Sequence, residues 1–158
     1  MPRLCLITFV FAHASGLDAQ GIADYARIRA GKRAEAVRIE NPIVLDGRLD
    51  EPVWQRATPA VEFYQQAPRE GALADLPTEV RFLYDDTMLY VGAMLYDDEP
   101  DKLIVNELTR DFSARNNDFF GLVLDLFRDR ENGLAFVCNP GGAMRDTQIY
   151  DNGRPDAN

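Results

Sequence analysis

The stretch that decides the fold is TEVRFLYDDTMLYVGAMLYDD, residues 78–98. Val80, Phe82 and Tyr84 share one side of its first part, opposite two charged residues, which is the pattern of a β-strand with one buried face. Asp85-Asp86-Thr87 then forms a polar turn, because short Asp side chains hydrogen-bond to the nearby backbone. The stretch therefore predicts a β-hairpin.

The second arm of this hairpin, Met88–Tyr96, is apolar at nearly every position. A strand that is buried on both faces has this composition, so we predict that it lies in the middle of a sheet. Gly92 interrupts the apolar run. A glycine at this position indicates either a β-bulge or the close approach of another segment to the strand.

A second hairpin is predicted further along the chain, over Asp118–Asn139. Apolar residues recur at every second position of its first arm, as at Phe120 and Leu122, which is the period of a strand. The charged segment Arg128–Gly133 is the predicted turn. Cys138, on the return arm, is predicted to be a small buried side chain.

Shorter segments surround the two hairpins. Strands are predicted at Ala36–Ile39, Ala60–Gln65 and Ala143–Tyr150, whereas Leu103–Leu108 fits either a strand or a short helix and residues 151–158 show no closing strand. Two strong hairpins, several short strands and one short helix predict an all-β, antiparallel β-sandwich. These strands do not comfortably close two sheets, so we expect the domain to be incomplete at its C-terminus.

The one short helix is predicted over Leu49–Ala57, with Asp50 as its N-cap and Pro52 in its first turn. The chain's single tryptophan, Trp54, lies on the apolar side of this helix. We predict that Trp54 fills one end of the sandwich core. The alternative is that it stacks on a bound sugar.

The first residues have the features of a targeting segment. Arg3 precedes an apolar run, Leu4–Ala12, that is too short to span a bilayer, and Ala12-His13-Ala14 fits a cleavage site. We therefore predict a signal peptide at residues 1–14 and a linker or flexible arm at residues 15–36. A buried strand is the alternative for the apolar run. The predicted location is exported: the periplasm, the outer membrane or the medium.

Composition and charge restrict the chemistry that the chain can perform. Its 158 residues predict one domain, and 26 acidic against 17 basic residues give a net charge of −9. This charge argues against nucleic acid and anionic membranes as partners. Removal of the signal peptide takes away His13, the only histidine, and Cys5, so that Cys138 is the sole remaining cysteine. The mature chain then has no disulfide, no histidine-based triad, no zinc site and no histidine to hold haem.

Two motifs together resemble carbohydrate-binding module family 9. The first is VLDGRLDEPVW, residues 44–54, and the second is TEVRFLYDD, residues 78–86, followed by LYVG, residues 89–92. The resemblance covers about residues 37–146 and is strongest to the variant at the N-terminus of large exported bacterial proteins. It implies an antiparallel β-sandwich, bound calcium, and sugar binding beside glycanase domains.

The resemblance also implies a ligand site, and this chain differs from the family there. Members that bind sugar chain ends have a tryptophan just before the residue equivalent to Asp118, a glutamate three residues after it, and an arginine on the next strand. This chain has Arg115-Asn116-Asn117, Gly121 and Val137 at those positions. A second stacking tryptophan would lie beyond residue 158. The resemblance therefore carries over the fold but not the sugar specificity.

Polar side chains in the second half of the chain form the predicted ligand set. Amides and guanidinium–carboxylate pairs offer sugar hydroxyls donors and acceptors in fixed geometry. The carbohydrate-binding candidates are Arg110, Asp111, Asn117, Asn139, Arg145 and Asp146. The alternative is that these side chains cap strands and loops inside the protein. Without the family tryptophans, stacking would fall to Phe112, Tyr64 or Tyr150.

Three acidic residues are candidates for a calcium site. Asp97 and Asp98 end one predicted strand and Asp118 begins another, so the three would converge if those strands are neighbours. Calcium takes roughly six to eight oxygen ligands, often including several carboxylates. No contiguous calcium-binding loop pattern is present, and solvated turn acids are the alternative.

These features predict a non-catalytic carbohydrate-binding module of an exported bacterial protein involved in polysaccharide binding or breakdown. Its predicted partners are a polysaccharide or oligosaccharide and the C-terminal domain of the parent protein. One alternative is a structural N-terminal domain of a larger cell-envelope protein, without sugar binding. Another is part of a glycosidase that uses Asp118 and Asp146. No catalytic residue is predicted in this chain, and any O-glycosyl hydrolase activity would belong to the longer parent.

Overall fold

A computed structural model describes residues 31–150 and the backbone of Arg154–Pro155. Over these residues the strands form a three-stranded and a four-stranded sheet, which confirms the predicted all-β class and agrees with the β-sandwich. The predicted signal peptide and residues 15–30 of the predicted linker lie outside the described residues. Within the described part of the chain, no helix has the length and apolar character needed to cross a membrane.

The chain divides into two compact units, which meet in sequence between Asp98 and Glu99. We call the described residues up to Asp98 the first unit and those from Glu99 the second unit. The sheet of the first unit contains β1 (Ala36–Arg38), β2 (Thr78–Tyr84) and β3 (Leu89–Leu95), in the order β1-β2-β3. The antiparallel pairing of β2 with β3 confirms the first predicted hairpin.

Strand β1 pairs with β2 in parallel, whereas the other strand pairs of the described residues are antiparallel, as predicted for the sandwich. Two parallel strands need a long connection between them, because the chain must return to the same end of the sheet. The segment between Arg38 and Thr78 supplies this connection. Local sequence patterns predict that a strand forms, but they do not indicate the direction in which it pairs.

The turn of the first hairpin has the predicted Asp chemistry. The backbone N–H groups of Thr87 and Met88 donate to Asp85 Oδ1 at 2.7 Å and 2.8 Å. The Tyr90 hydroxyl donates to the second carboxylate oxygen, Asp85 Oδ2, at 2.8 Å. These bonds lower the pKa of Asp85 to about 2, with the Thr87 backbone bond as the largest cause and the Tyr90 bond next.

The prediction that Met88–Tyr96 lies in the middle of the sheet is wrong. Among the described strands β2 is central and β3 lies at the edge. Five large apolar side chains of β3 and its flanks are between 42% and 50% exposed, whereas Tyr90 of β3 is buried: Met88, Leu89, Met94, Leu95 and Tyr96 are the exposed ones. An apolar composition does not distinguish a central strand from an edge strand, because apolar side chains also make up much of protein surfaces.

Trp54 lies in the core of the first unit, as predicted, and is 2% exposed. It belongs to a buried cluster with Ile39, Ala57, Leu83 and Tyr90. This burial is not compatible with the alternative role of stacking on a sugar.

The helix around Trp54 is shorter and tighter than predicted. It is a 3₁₀ turn, Trp54–Arg56, and the residue at its N-cap, Val53, makes no side-chain capping bond. Asp50 is therefore not the cap. Glu51 fixes this segment instead, because its carboxylate accepts from the Val44 backbone N–H and from Trp54 Nε1, both at 3.1 Å.

Gly92 allows the side chains of Leu49 and Trp54 to approach β3 closely, and it does not mark a β-bulge. The β2–β3 pairing runs through it without interruption, with Arg81 opposite Gly92. A Cβ atom added at this glycine would lie 2.7 Å from Leu49 Cδ2 and 2.8 Å from Trp54 Cζ3. These distances are too short for carbon atoms in contact, so the absence of a side chain at position 92 makes room for the core.

The sheet of the second unit is antiparallel throughout, in chain order. Its strands are β4 (Phe120–Leu124), β5 (Gly133–Cys138), β6 (Met144–Tyr150) and β7 (Arg154–Pro155). The pairing of β4 with β5 confirms the second predicted hairpin. The prediction of no closing strand is wrong, because β7 pairs with the end of β6. Backbone pairing over two residues leaves no hydrophobic pattern in the sequence.

Three further predictions for short segments are corrected. Ala60–Gln65 is not a strand but makes isolated bridges, and Glu62 interrupts it with a left-handed φ of 57°. Leu103–Leu108 is neither strand nor helix and follows a 3₁₀ turn at Pro100–Lys102. Cys138 is exposed rather than buried, because it ends β5 on a side of the strand that remains accessible.

Candidate functional site

The second unit contains an open depression of about 500 Å³ between two loops. The first loop, 104–107, follows the 3₁₀ turn at Pro100–Lys102, and the second, 115–118, leads from a 3₁₀ turn at Ala114–Asn116 into β4. The residues that line the depression are Ile104, Asn106, Glu107, Arg115, Asn116, Asn117 and Asp118. Six of these seven described residues are polar or charged, and none is aromatic.

Asp118 joins the two loops at one end of the depression. Its backbone N–H donates to the carbonyl of Ile104 at 2.8 Å, and its Oδ2 accepts from the Ile104 N–H, also at 2.8 Å. This double contact resembles one rung of a β-ladder and fixes the position of the carboxylate. Asp118 is exposed, and its Oδ1 has no hydrogen-bond partner among the described residues.

Asn117 joins the same loops from the interior of the unit and is only 8% exposed. Its Oδ1 accepts from the backbone N–H groups of Asn106 (2.7 Å) and Glu107 (3.1 Å). Its Nδ2 donates to the carbonyl of Ser113 at 2.9 Å. Because these backbone groups belong to an irregular segment, the Asn117 amide supplies the hydrogen bonds that a strand partner would otherwise provide.

Asn139 connects the first loop to the turn between β5 and β6, and it is 5% exposed. Its Nδ2 donates to the carbonyl of Glu107 at 2.6 Å, and its Oδ1 accepts from the Ala143 N–H at 2.9 Å. The adjacent Gly141 allows close packing, because a Cβ atom there would lie 2.8 Å from Val105 Cγ1. The first loop is therefore held on both sides by buried asparagines.

The remaining polar side chains of the depression divide into bonded and unbonded groups. Both carboxylate oxygens of Glu107 accept from the Ser113 N–H at 3.3 Å. Asn106 Nδ2 donates to the carbonyl of Asn116. Arg115 is exposed and makes no hydrogen bond or ion pair within the described part of the chain. Its guanidinium is thus a positive group in the depression with all its donors available.

Only one member of the predicted ligand set, Asn117, lines the depression. Arg110 forms an exposed ion pair with Asp146 on β6, and the Asp111 N–H donates to the carbonyl of Met144 at 2.9 Å. Arg145 lies next to Asp146 in β6 and therefore points to the opposite face of the sheet. The structure thus brings Arg110, Asp111 and Asp146 together near β6 and places Asn117 and Asn139 inside the unit.

Sequence reasoning did not select five of the lining residues: Ile104, Asn106, Glu107, Arg115 and Asn116. A signal for two of them was present, because Arg115 and Asn116 stand where the resembling family has its tryptophan. Asn106 and Glu107 come from a segment without periodicity, and nothing in the sequence indicates that this segment faces residues 115–118.

The three aromatic residues considered for stacking do not lie in the depression. Phe112 is fully buried, so its ring faces are not accessible to a sugar. Lys32 Nζ lies 5.2 Å from the centre of the Tyr64 ring, in the first unit. Tyr64 is half-buried, and Tyr150, at the end of β6, is the most exposed of the three.

The candidate calcium ligands belong to different units. Asp97 and Asp98 follow β3 in the first unit, and Asp118 precedes β4 in the second. Residues 31–150 contain no group of three or more His, Cys, Asp or Glu side chains placed to hold a metal ion. Asp118 also uses one carboxylate oxygen on Ile104. Calcium therefore remains a prediction from the sequence.

Comparison with known proteins finds one family to which part of the chain is similar. No curated protein and no solved structure matches it. The model of the carbohydrate family 9 binding domain-like family matches residues 45–113. This span includes most of the first motif, all of the second, and the first loop of the depression. The second loop follows directly after it. The resemblance drawn from the two motifs is therefore confirmed: residues 45–113 are similar to the carbohydrate family 9 binding domain-like family.

Proposed function

We propose that this chain is a non-catalytic carbohydrate-binding module that takes its ligand in the depression between loops 104–107 and 115–118. One observation carries the proposal. The residues that replace the family's sugar-stacking tryptophan, Arg115-Asn116-Asn117, line the depression together with Asp118. The family match supports carbohydrate as the ligand class.

The chemistry of the depression suits sugar hydroxyls. Asp118 Oδ1 is an acceptor for hydroxyl protons, and Arg115 is a donor to hydroxyl oxygens. Asn116 adds an amide with both a donor and an acceptor. The open, shallow shape fits one or two sugar units of a longer chain better than an enclosed small molecule.

Neutral sugars are expected to bind this depression weakly. Sugar rings are strongly hydrated, and sugar-binding sites gain affinity by placing an aromatic face against the apolar side of the ring. Relative to the family pattern, one stacking contact and two hydrogen bonds to charged groups are lost, which removes roughly 4–7 kcal/mol. A micromolar binder would then fall to the millimolar range or weaker, because about 1.4 kcal/mol is tenfold in Kd.

We place this module in an exported bacterial protein that binds or breaks down polysaccharide, with a glycanase or other domain elsewhere in the parent protein. Support comes from the Arg3–Ala14 targeting pattern and from the family resemblance. Mass spectrometry of protein from the native host would check cleavage after Ala14, and an exported protein that begins at Met1 would contradict it.

Titration followed by NMR tests the proposal, because it detects millimolar binding and locates it. The full chain is titrated with xylan, cellulose and mannan oligosaccharides and with acidic monosaccharides. We expect saturable shifts at residues of loops 104–107 and 115–118. Asp118→Asn should weaken them, because an amide replaces a carboxylate acceptor, whereas Asp146→Asn, an exposed change outside the depression, should not. The absence of saturable shifts with every sugar would refute the proposal.

A structural domain without sugar binding is the second candidate, and one observation favours it. The two predicted ligand residues Asn117 and Asn139 are buried and bonded to backbone groups of the same unit. Side chains used in this way stabilise loops and do not contact a ligand. If the titration detects no binding, this second function is the one that remains.

A further inference from the structure

We propose that the depression prefers acidic sugars over neutral ones, and that Arg115 recognises the sugar carboxylate. The ligand class is a uronic acid, as a monosaccharide or at the end of a short oligosaccharide. This inference rests on the proposed function, because it specifies the ligand of the same depression.

The first support is the state of the Arg115 guanidinium. It lines the depression, it is exposed, and no carboxylate of the described residues pairs with it. Arg110, a second arginine of the same unit, is already paired with Asp146. A planar guanidinium presents two parallel N–H groups that match the two oxygens of a carboxylate. An unpaired arginine in a depression is therefore suited to a ligand with a carboxylate.

The second support is that the carboxylates in the depression are engaged by backbone N–H groups. Glu107 accepts from Ser113 with both oxygens, and Asp118 accepts from Ile104 with Oδ2. Neither side chain is free to swing towards Arg115 without breaking these bonds. Asp118 Oδ1 still accepts a hydrogen bond. A uronic acid would thus place its carboxylate on Arg115 and a hydroxyl on Asp118.

The third support is the lack of an aromatic side chain in the lining. A neutral sugar gains little here, because no ring covers its apolar face. A uronic acid compensates because its carboxylate accepts two parallel N–H bonds from the Arg115 guanidinium, which a hydroxyl group does not. The depression is thus better matched to a charged ligand than to a neutral one.

The net charge of −9 limits the size of this ligand. A long polyanion would be repelled by the chain as a whole, whereas a single carboxylate paired with Arg115 is opposed mainly by the two carboxylates of the depression, Glu107 and Asp118. At physiological salt, charges beyond about 8 Å are largely screened. We therefore infer an isolated acidic residue, such as a terminal uronic acid, and not a polyuronate.

Paired titrations with glucuronate and glucose test the preference, because these sugars differ only in the carboxylate at C6. The full chain is titrated with both by NMR, as wild type and as Arg115→Gln. Wild type should bind glucuronate about tenfold more tightly, as expected for one bidentate, charge-assisted pair. Arg115→Gln should remove this difference, because it weakens the binding of glucuronate much more than that of glucose. Raising the salt concentration should reduce the preference in wild type only.

Two further variants complete the test. Arg48→Gln removes an exposed arginine of the first unit and should keep the preference, which controls for net charge. Arg115→Lys keeps the charge but loses the planar fork, so it should give an intermediate preference. Equal affinities in wild type, or a preference that survives in Arg115→Gln, would overturn the inference while leaving the proposed function intact. If neither sugar nor any neutral oligosaccharide binds, the proposed function fails as well.

Discussion

Gly92 shows how one missing side chain determines a packing arrangement. The Trp54 ring and Leu49 occupy the space that a Cβ atom at position 92 would need. We expect Gly92→Ala to lower the free energy of unfolding by about 1–3 kcal/mol, the usual cost of overpacking a core. Urea denaturation followed by Trp54 fluorescence measures the change.

Gly121→Ala on β4 is the matched control, since its added Cβ atom would have its nearest neighbours at 3.6–3.8 Å, an ordinary contact distance. It should change stability by less than Gly92→Ala does. Equal effects of the two substitutions would mean that the loss of a strand glycine, and not the contact with Trp54, causes the change.

Asp85 makes the stability of the first hairpin depend on pH. Its pKa is about 2 in the folded chain, against an ordinary value of 3.8, because Thr87 and Tyr90 donate hydrogen bonds to the ionised form. A group whose pKa is lowered by folding stabilises the fold above its unfolded pKa, and this contribution is lost as the pH falls towards the folded pKa. The loss at Asp85 should therefore occur between about pH 4 and pH 2.

Thermal melts of wild type and Asp85→Asn across this pH range test the coupling. Wild type should be the more stable at pH 6, and the difference in Tm should shrink as the pH approaches 2. Asp86→Asn is the control in the same turn. A difference in Tm that stays constant with pH would contradict the prediction.

At the scale of elements, hairpins are what the sequence predicts best. The β2–β3 and β4–β5 hairpins each join neighbouring segments through a polar turn, so alternation and turn chemistry together contain the needed information. The parallel pairing of β1 and the edge position of β3 depend on contacts between distant segments. A strand's own residues do not indicate which strands will lie beside it.

The depression was only partly predictable, for a similar physical reason. The sequence identifies residues 115–118 as unusual, because they differ from the family pattern at the ligand position. Loop 104–107 is held against them by side-chain bonds to the backbone, mainly from Asn117 and Asp118. Such bonds have no period in the sequence, and therefore the partner loop could not be identified.

Asn117 is expected to hold these two loops together. Asn117→Ala should cost about 1–3 kcal/mol, because it removes a buried amide and leaves the part-buried N–H groups of Asn106 and Glu107 without this acceptor. Hydrogen exchange at these two amides should become faster relative to amides of β5. Asn116→Ala is the control, since the Asn116 side chain is exposed and only backbone groups of Asn116 are bonded among the described residues. Unchanged exchange in Asn117→Ala would contradict the assigned role.

For the whole molecule, the prediction with the largest consequence is that the folded chain binds calcium. The family resemblance and the acidic residues Asp97, Asp98 and Asp118 motivate a site. A ligand that binds only the folded state raises Tm by mass action, so millimolar calcium should raise it while equal magnesium should raise it less. Asp118→Asn should reduce the shift. No change in Tm with calcium would contradict the prediction that the folded protein binds this metal.

The exposed apolar strand β3 has a consequence for how the protein behaves in solution. An uncharged edge strand is a template onto which another strand can add, and therefore folded molecules can associate through it. The net charge of −9 opposes such encounters, because like-charged molecules repel at low ionic strength. Added salt screens the repulsion but leaves the strand unchanged. The protein should therefore stay monodisperse in dilute buffer and associate as ionic strength rises. Its solubility then depends on the salt concentration.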